Sequence, residues 1–361
     1  MPGMAIALCN GEIAVSASRI RMIGLSLALL SVPGASPAPG HMSAGPSDFA
    51  FLDPWFTVGP QDRDTLAQRA VLVRALPASD RQVSILAACA VDRAAGEPEV
   101  DAGIIGASAI GTGKHGELMT GRFSEPARLD DLSRLTLDQG DIDRLRSCRR
   151  GECALNLSDR EMADLQLALA QPPVAPSAVQ DAFRRMLLGR VAGYRSGGVA
   201  ALPEYHDRRD PVQPAAVLSA IRRQIPYLNA HLPAVAEYLD RYPFAGTAGA
   251  STSLHWSRLM VNSKPVVAIN HLTTFRPEPS AHVPAVLTVS QTVYASRYLN
   301  GELTLWMLFA PGAAVSYVVY VTRLELDTLG DTFGGLKRSV IESRMKDAAA
   351  RLLNCQSSGR N

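Results

Sequence analysis

The stretch Pro265–Asn354 constrains the fold more than any other part of the chain, because its hydrophobic period changes once and cleanly. From Pro265 to Arg276 the residues alternate. Val267, Ile269, His271, Thr273 and Phe275 point one way, and Val266, Ala268, Asn270, Leu272 and Thr274 the other, which is the period of a strand. Pro277 and Pro279 end the run, since each fixes φ and withdraws a backbone donor. Val286–Tyr298 is a second strand, with Leu287, Val289, Gln291, Val293 and Ala295 on one face. Asn300-Gly301 tolerates positive φ and reads as a hairpin turn into a third strand, Glu302–Ala310. Pro311-Gly312 turns the chain into a fourth, Val315–Arg323, rich in β-branched and tyrosine residues. Then Leu329, Phe333, Leu336, Val340, Met345, Ala348 and Leu352 recur at helical spacing, with Asp331 as a candidate cap. A helix of that length spans about 30 Å, enough to cross a sheet. The expected class is α+β: a curved antiparallel sheet gripping a long C-terminal helix.

Elsewhere the signals are shorter. Gln82–Val91 reads as a strand, Glu117–Phe123 as a second short one, and Gln61–Val73 as helical. Residues 126–249 break into helical pieces punctuated by proline and glycine: Leu129–Leu132, Asp141–Leu145, Ser177–Tyr194, Gln213–Gln224 and Ala234–Tyr242. Ser158 followed by Glu161 is a capping box for another. The expected organisation is a signal peptide at 1–38 and an extended lead-in at 39–60. An α+β domain follows from 61–125 and 250–355, interrupted by a helical insertion at 126–249.

The strand Ser316-Tyr317-Val318-Val319-Tyr320-Val321 followed by Gly334-Gly335-Leu336-Lys337-Arg338 resembles the helix-grip fold of the START, polyketide-cyclase and Bet v 1-like superfamily. The likeness is one of pattern and covers about a third of the chain. It implies a cavity between sheet and terminal helix that holds an apolar small molecule or lipid. Arg146–Leu157 and Lys264–Arg276 are also similar to a family of secreted bacterial proteins, a resemblance that names no chemistry.

Charge excludes several partner classes. With 36 basic and 34 acidic residues the net charge is +2, and no Lys/Arg stripe interleaved with aromatics offers a nucleic-acid surface. Arg19 and Arg21 precede the 11-residue apolar run Met22–Val32, and small residues and prolines follow, as in an export signal. The run is shorter than the roughly 20 residues a membrane-spanning helix needs, so a periplasmic or secreted protein is expected rather than an integral membrane one. Export permits disulfides; of the five cysteines, Cys148 and Cys153 are the plausible pair, while Cys9 would leave with the signal and Cys355 stands alone past the last helix.

Motifs that tempt a sharper reading fall short. Gly106–Lys114 lacks the glycine spacing of a phosphate-binding loop, with Ser108 and His115 at the places that decide it. Gly249-Ala250-Ser251-Thr252-Ser253 lacks the second glycine of a nucleophile elbow and reads as a cap or loop, despite His255 nearby. The seven histidines show no metal-binding spacing, so no metal and no cofactor are expected. The candidates that remain for a ligand site are His271, Gln291, Tyr294, Trp306 and Tyr320 on the strands, with Phe333 and Leu336 from the helix. The leading expectation is ligand binding. One alternative is an enzyme using His271 as acid or base, with Tyr294 or Arg297. Another is a protein-interaction module working through the helical insertion, its partner unspecified. The glycines Gly334 and Gly335 early in the helix each cost about 1 kcal/mol against alanine and call for a close approach to justify them.

Overall fold

The computed structural model describes residues 49–79, 81–92, 119–170, 176–246, 249–261, 264–311, 315–330 and 334–357. The signal-like segment, Gly106–Lys114, Asp331 and Phe333 lie outside the described residues, as does the side chain of Cys355. The centre is one eight-stranded antiparallel sheet, curved and unclosed, in the order β1-β2-β8-β7-β6-β5-β4-β3. Its strands are β1 (Leu72–Ala75), β2 (Gln82–Asp92), β3 (Met119–Arg122), β4 (Ser251–Val261), β5 (Lys264–Phe275), β6 (Val286–Ala295), β7 (Leu299–Phe309) and β8 (Val315–Leu326). Thus the C-terminal meander β4–β8 is continued on one side by β2 and β1, and on the other by β3.

Eight α-helices complete the described chain: α1 (Pro60–Ala67), α2 (Gln139–Leu145), α3 (Asp159–Ala170), α4 (Pro176–Gly197), α5 (Pro214–Arg223), α6 (Pro226–His231), α7 (Pro233–Arg241) and α8 (Gly334–Ser357). Proline at the first turn starts α1, α5, α6 and α7, where its missing N–H has no intrahelical partner to lose. The capping box of α3 forms as its spacing implies: the Ser158 amide and hydroxyl each donate to Glu161 Oε2 at 2.8 Å, and Glu161 N donates back to Ser158 Oγ at 3.4 Å.

Strand alternation assigns every side chain to one of two faces. The first face carries Leu86 and Ala88, Val319 and Val321, Leu303, Leu305 and Met307, Leu287 and Val289, and Phe275, and these pack against Phe49–Leu52 and α5–α7. Further along it, Val267, Ile269, Leu254 and Trp256 pack against α2–α4. The helical insertion therefore covers this face. On the opposite face Val83, Ile85, Ala87 and Cys89 pack against Met345, Ala349 and Leu353 of α8, which lies over β2 and β1.

Four local expectations are corrected. Asn300-Gly301 is not the hairpin turn. β7 already begins at Leu299, and the chain reverses through Ser296–Tyr298, where Tyr298 takes φ 67°. Asn300 and Gly301 instead form a bulge against β8, held by Asn300 Nδ2 donating to Glu325 Oε1 at 3.3 Å. Ser251–Ser253 is neither cap nor loop but the start of β4, whose buried Leu254 and Trp256 supply its period of two. The helix expected over Gln61–Val73 ends at Ala67, and its last two residues, Leu72 and Val73, open the edge strand β1. On α8, Leu336 and Val340 are exposed; the buried stripe begins about one turn later, at Ile341 and Met345. Arg338, which donates to the carbonyls of Ala78 and Ser79, ties this first turn to the β1–β2 connection. The close approach that justifies Gly334 exists, since a Cβ there would sit 2.4 Å from the Leu329 carbonyl oxygen, whereas Gly335 meets nothing.

Candidate functional site

The expected site residues divide between the two faces of the sheet. His271 pairs with Gln291 across β5–β6, so both lie on the face covered by the insertion. A bulge between Ile269 and Asn270 in that pairing turns Tyr294 to the same face and sends Ala295 to the other. Trp306 and Tyr320 are cross-strand partners on the face that α8 shares. Leu336 is 73% exposed and lines neither. One cavity holding His271, Trp306 and the helix is therefore excluded by sheet geometry: side chains on opposite faces are separated by the backbone itself.

On the insertion face, His271 is fully buried beneath aromatic rings. Tyr194 of α4 lies 2.8 Å from His271 Nδ1, and Gln291 Nε2 donates to the Tyr194 hydroxyl at 3.1 Å. His271 Nε2 contacts the hydroxyl of Thr252, with Thr273 Oγ1 at 3.3 Å. Tyr238 and Tyr242 pack on the imidazole at ring separations of 6.3 and 4.4 Å. One proton arrangement satisfies the chain: Gln291 donates to Tyr194, Tyr194 donates to Nδ1, and the Nε2 proton goes to Thr252. Burial, with the positive charge of Arg195 second, lowers the His271 pKa from 6.5 to about 3. Burial raises Tyr194 well above its ordinary value, and Tyr242 and Tyr238 push the same way. Neither group exchanges a proton near neutrality, and Nε2 carries a proton where a base would need a lone pair.

Beside it, Arg190 is buried against Tyr294, its guanidinium 4.3 Å from that ring and 5.2 Å from Tyr205. Arg190 Nη2 donates to Glu161 at 2.7 Å, so the α3 cap also neutralises this buried cation. Tyr294 belongs to this packing. Nearby, Arg297 pairs with the buried Asp141 of α2.

The face shared with α8 is chemically different. Over β1 and β2 it is apolar and packed against the helix. Across β8 to β4 it turns polar in successive rows. One row runs Thr322, Thr304, Ser290, Leu272, Ser253; the next runs Tyr320, Trp306, Thr288, Thr274, Ser251. Glu302, Thr292 and Asn270 extend the same face. Most of these are buried, and exposure grows toward β4, where Ser253 is half-buried and Ser251 exposed. Buried polar groups need partners, and many find them sideways. Glu302 Oε1 accepts the hydroxyls of Thr304 and Thr322, each at 3.1 Å. Thr274 and Thr288 pair at 2.9 Å, and Thr292 donates to Asn270 at 2.9 Å. Trp306 packs on Tyr320 with ring centroids 4.8 Å apart and planes tilted by 60°, yet its indole Nε1 is buried with no hydrogen-bond partner among the described residues. Burial raises the Tyr320 pKa, and the charge of Glu302 adds to it.

Sequence reasoning missed Tyr194 and Tyr238, because only tertiary folding brings helices from the insertion to β5. It also missed Glu302, Thr304, Thr322 and the Thr288-Ser290-Thr292 row. Their spacing of two was visible, but on an antiparallel strand that pattern ordinarily marks the solvent face. Cys148 and Cys153 are disulfide-bonded, and Cys89 is buried on the α8 face with its thiol pushed up to about 11 by burial. Among the described residues no helix is long and apolar enough to cross a membrane, and no three His, Cys, Asp or Glu side chains group as a cation site. No family model, curated protein or solved structure matches the chain.

Proposed function

We propose that this is an exported binding protein for a small molecule, which it holds on the polar part of the sheet beside α8. One observation carries the reading: a buried sheet face built from hydroxyls, Glu302 and Asn270 contains an indole N–H, that of Trp306, with no partner. An unpaired buried donor costs about 1–3 kcal/mol, which an acceptor on a bound ligand would recover. The helix-grip resemblance supports the same location for a ligand, displaced from beneath the helix to beside it. Polar lining argues against a purely hydrocarbon ligand. The run Met22–Val32 and the Cys148–Cys153 disulfide support export. An enzyme acting through His271 is the weaker reading, since that ring is neutral and its hydrogen bonds are already used. Native mass spectrometry of the protein isolated from its own host tests the proposal. The expected result is a bound small molecule that is lost in Thr304→Val/Thr322→Val. A ligand-free protein that also shows no thermal shift with any member of a metabolite library would overturn it.

A further inference from the structure

Two of the seven histidines meet at the surface from segments far apart in the chain. We infer that His231 and His282 are the protein ligands of a site for an imidazole-preferring divalent transition-metal ion, Cu2+ ahead of Zn2+ and Ni2+. His231 is the last residue of α6, and His282 lies in the connection between β5 and β6. Their ring centres are 5.0 Å apart, with planes inclined by 36°. A metal about 2.0–2.1 Å from one nitrogen of each of two adjacent imidazole ligands sets the ring centres about 4.5–5.5 Å apart, so the spacing suits a ligand pair. His282 Nδ1 lies 2.9 Å from the Ala50 carbonyl oxygen, which can only accept, so Nδ1 carries the proton and Nε2 the lone pair. A ring N–H given to a backbone carbonyl, with the other nitrogen left as ligand, is how metal-binding histidines are held. The backbone of His282 is fixed as well. The Tyr227 hydroxyl donates to its carbonyl at 2.6 Å, and Ser280 and Val283 exchange backbone hydrogen bonds of 3.0 and 3.3 Å around it. His231 is oriented by packing, its ring 5.2 Å from that of Tyr227, which Trp55 backs at 4.8 Å. Among the described residues no hydrogen bond occupies either ring nitrogen of His231 or Nε2 of His282.

The donor set selects the ion. Neutral imidazole nitrogens suit copper, zinc and nickel, whereas calcium and magnesium want oxygen. No third His, Cys, Asp or Glu joins the pair among the described residues, so water fills the remaining positions. With so few protein ligands the intrinsic order of the metals decides, and it puts Cu2+ first. Both rings are half-buried, so solvent and ion reach them. A bound ion would cross-link α6 to the β5–β6 connection and, through Ala50, to the anchor whose Phe51 stacks on Phe309. Tyr227, Phe49 and Phe51 pack on the insertion face, so this site is independent of the proposed ligand site beside α8.

The test is calorimetric titration of the purified, tag-free, chelator-treated full chain with CuCl2 and with ZnCl2 in a non-coordinating buffer. Cu2+ is expected to bind one ion per chain with Kd below about 100 µM, and Zn2+ more weakly. Electron paramagnetic resonance of the Cu2+ form should show two nitrogen ligands, and the ion should raise the thermal midpoint of the wild type by mass action. His231→Phe keeps the ring stacked on Tyr227 and deletes both nitrogens. His282→Asn keeps a donor for the Ala50 carbonyl and deletes Nε2. Each should weaken Cu2+ binding at least about 10-fold and abolish the thermal shift, with circular dichroism verifying the fold. His206→Gln, remote from the pair, should leave binding unchanged. Cu2+ binding that neither substitution weakens, or that only one of them weakens, would overturn the site. So would a wild type that binds neither ion below about 100 µM.

Discussion

Acidification should destabilise this protein through His271 by an amount that can be worked out in advance. Folding holds the imidazole at a pKa of about 3, against 6.5 when it is free. The native state therefore stays neutral where the unfolded chain takes up a proton. The contribution of His271 is complete above about pH 6.5, is lost as pH falls toward about 3, and is constant below that. Each unit is worth about 1.4 kcal/mol, so the whole window spans about 5 kcal/mol, and the step from about pH 7.5 to about pH 4.5 takes about 3 kcal/mol of it. The groups facing the ring are Tyr194, Tyr238, Tyr242, Thr252, Thr273 and Gln291, with Arg195 acting through its charge, and none is a carboxylate that would offset the effect. Asp207 and Asp327, which burial raises, contribute with the opposite sign, but they do so equally in a variant that keeps them. Urea unfolding of the wild type and His271→Gln at the two pH values isolates the term. The wild type should exceed the variant by about 3 kcal/mol less at the lower pH than at the higher. A difference between the two proteins that stays the same at both values would refute the reasoning, since the ring would then titrate as it does in water.

Other perturbations probe the packing on the insertion face. Gly121→Ala would place a Cβ 2.5 Å from the Trp256 indole, whose Nε1 donates to the Asp131 carbonyl; a loss of about 1–3 kcal/mol in urea unfolding is expected. Gly198 has φ 61°, and a Cβ there would lie 1.8 Å from the Tyr242 carbonyl oxygen, so Gly198→Ala should leave little soluble folded protein, measured as yield and far-ultraviolet circular dichroism. Arg297→Ala leaves the buried Asp141 with only the partly exposed Arg144, whose Nη2 lies 3.3 Å from its Oδ1, and should cost about 1–3 kcal/mol in urea unfolding.

The terminal meander and helix were legible in the sequence because each uses a single period over most of its length. Proline at helix starts and the Ser158–Glu161 box were equally legible, being local chemistry. What was not legible is long-range. The α+β class follows from the periods, but which face of the sheet α8 covers depends on the pairing of β2 with β8, more than 200 residues apart. A one-residue bulge opposite Asn270 also reassigns Tyr294. His271 was singled out correctly as a mid-strand histidine, but Tyr194 and Tyr238, which decide its protonation, come from helices. The Leu336–Val340 part of the helical stripe was misread because apolar periodicity marks one face of a helix without saying how much of its length the sheet covers. The polar rows of β6–β8 were visible as residues and invisible as a site, since burial is a tertiary property.

The most direct measurement is the indole region of the nitrogen–proton correlation spectrum during titration with the ligand. The chain has three tryptophans, Trp55, Trp256 and Trp306, and Trp256 Nε1 already donates to a backbone carbonyl. The expected result is that the Trp306 indole proton alone moves downfield and becomes protected from exchange as it acquires an acceptor. Movement of the Trp256 indole or of the His271 ring, with Trp306 unchanged, would put the ligand on the opposite face of the sheet and contradict the assignment.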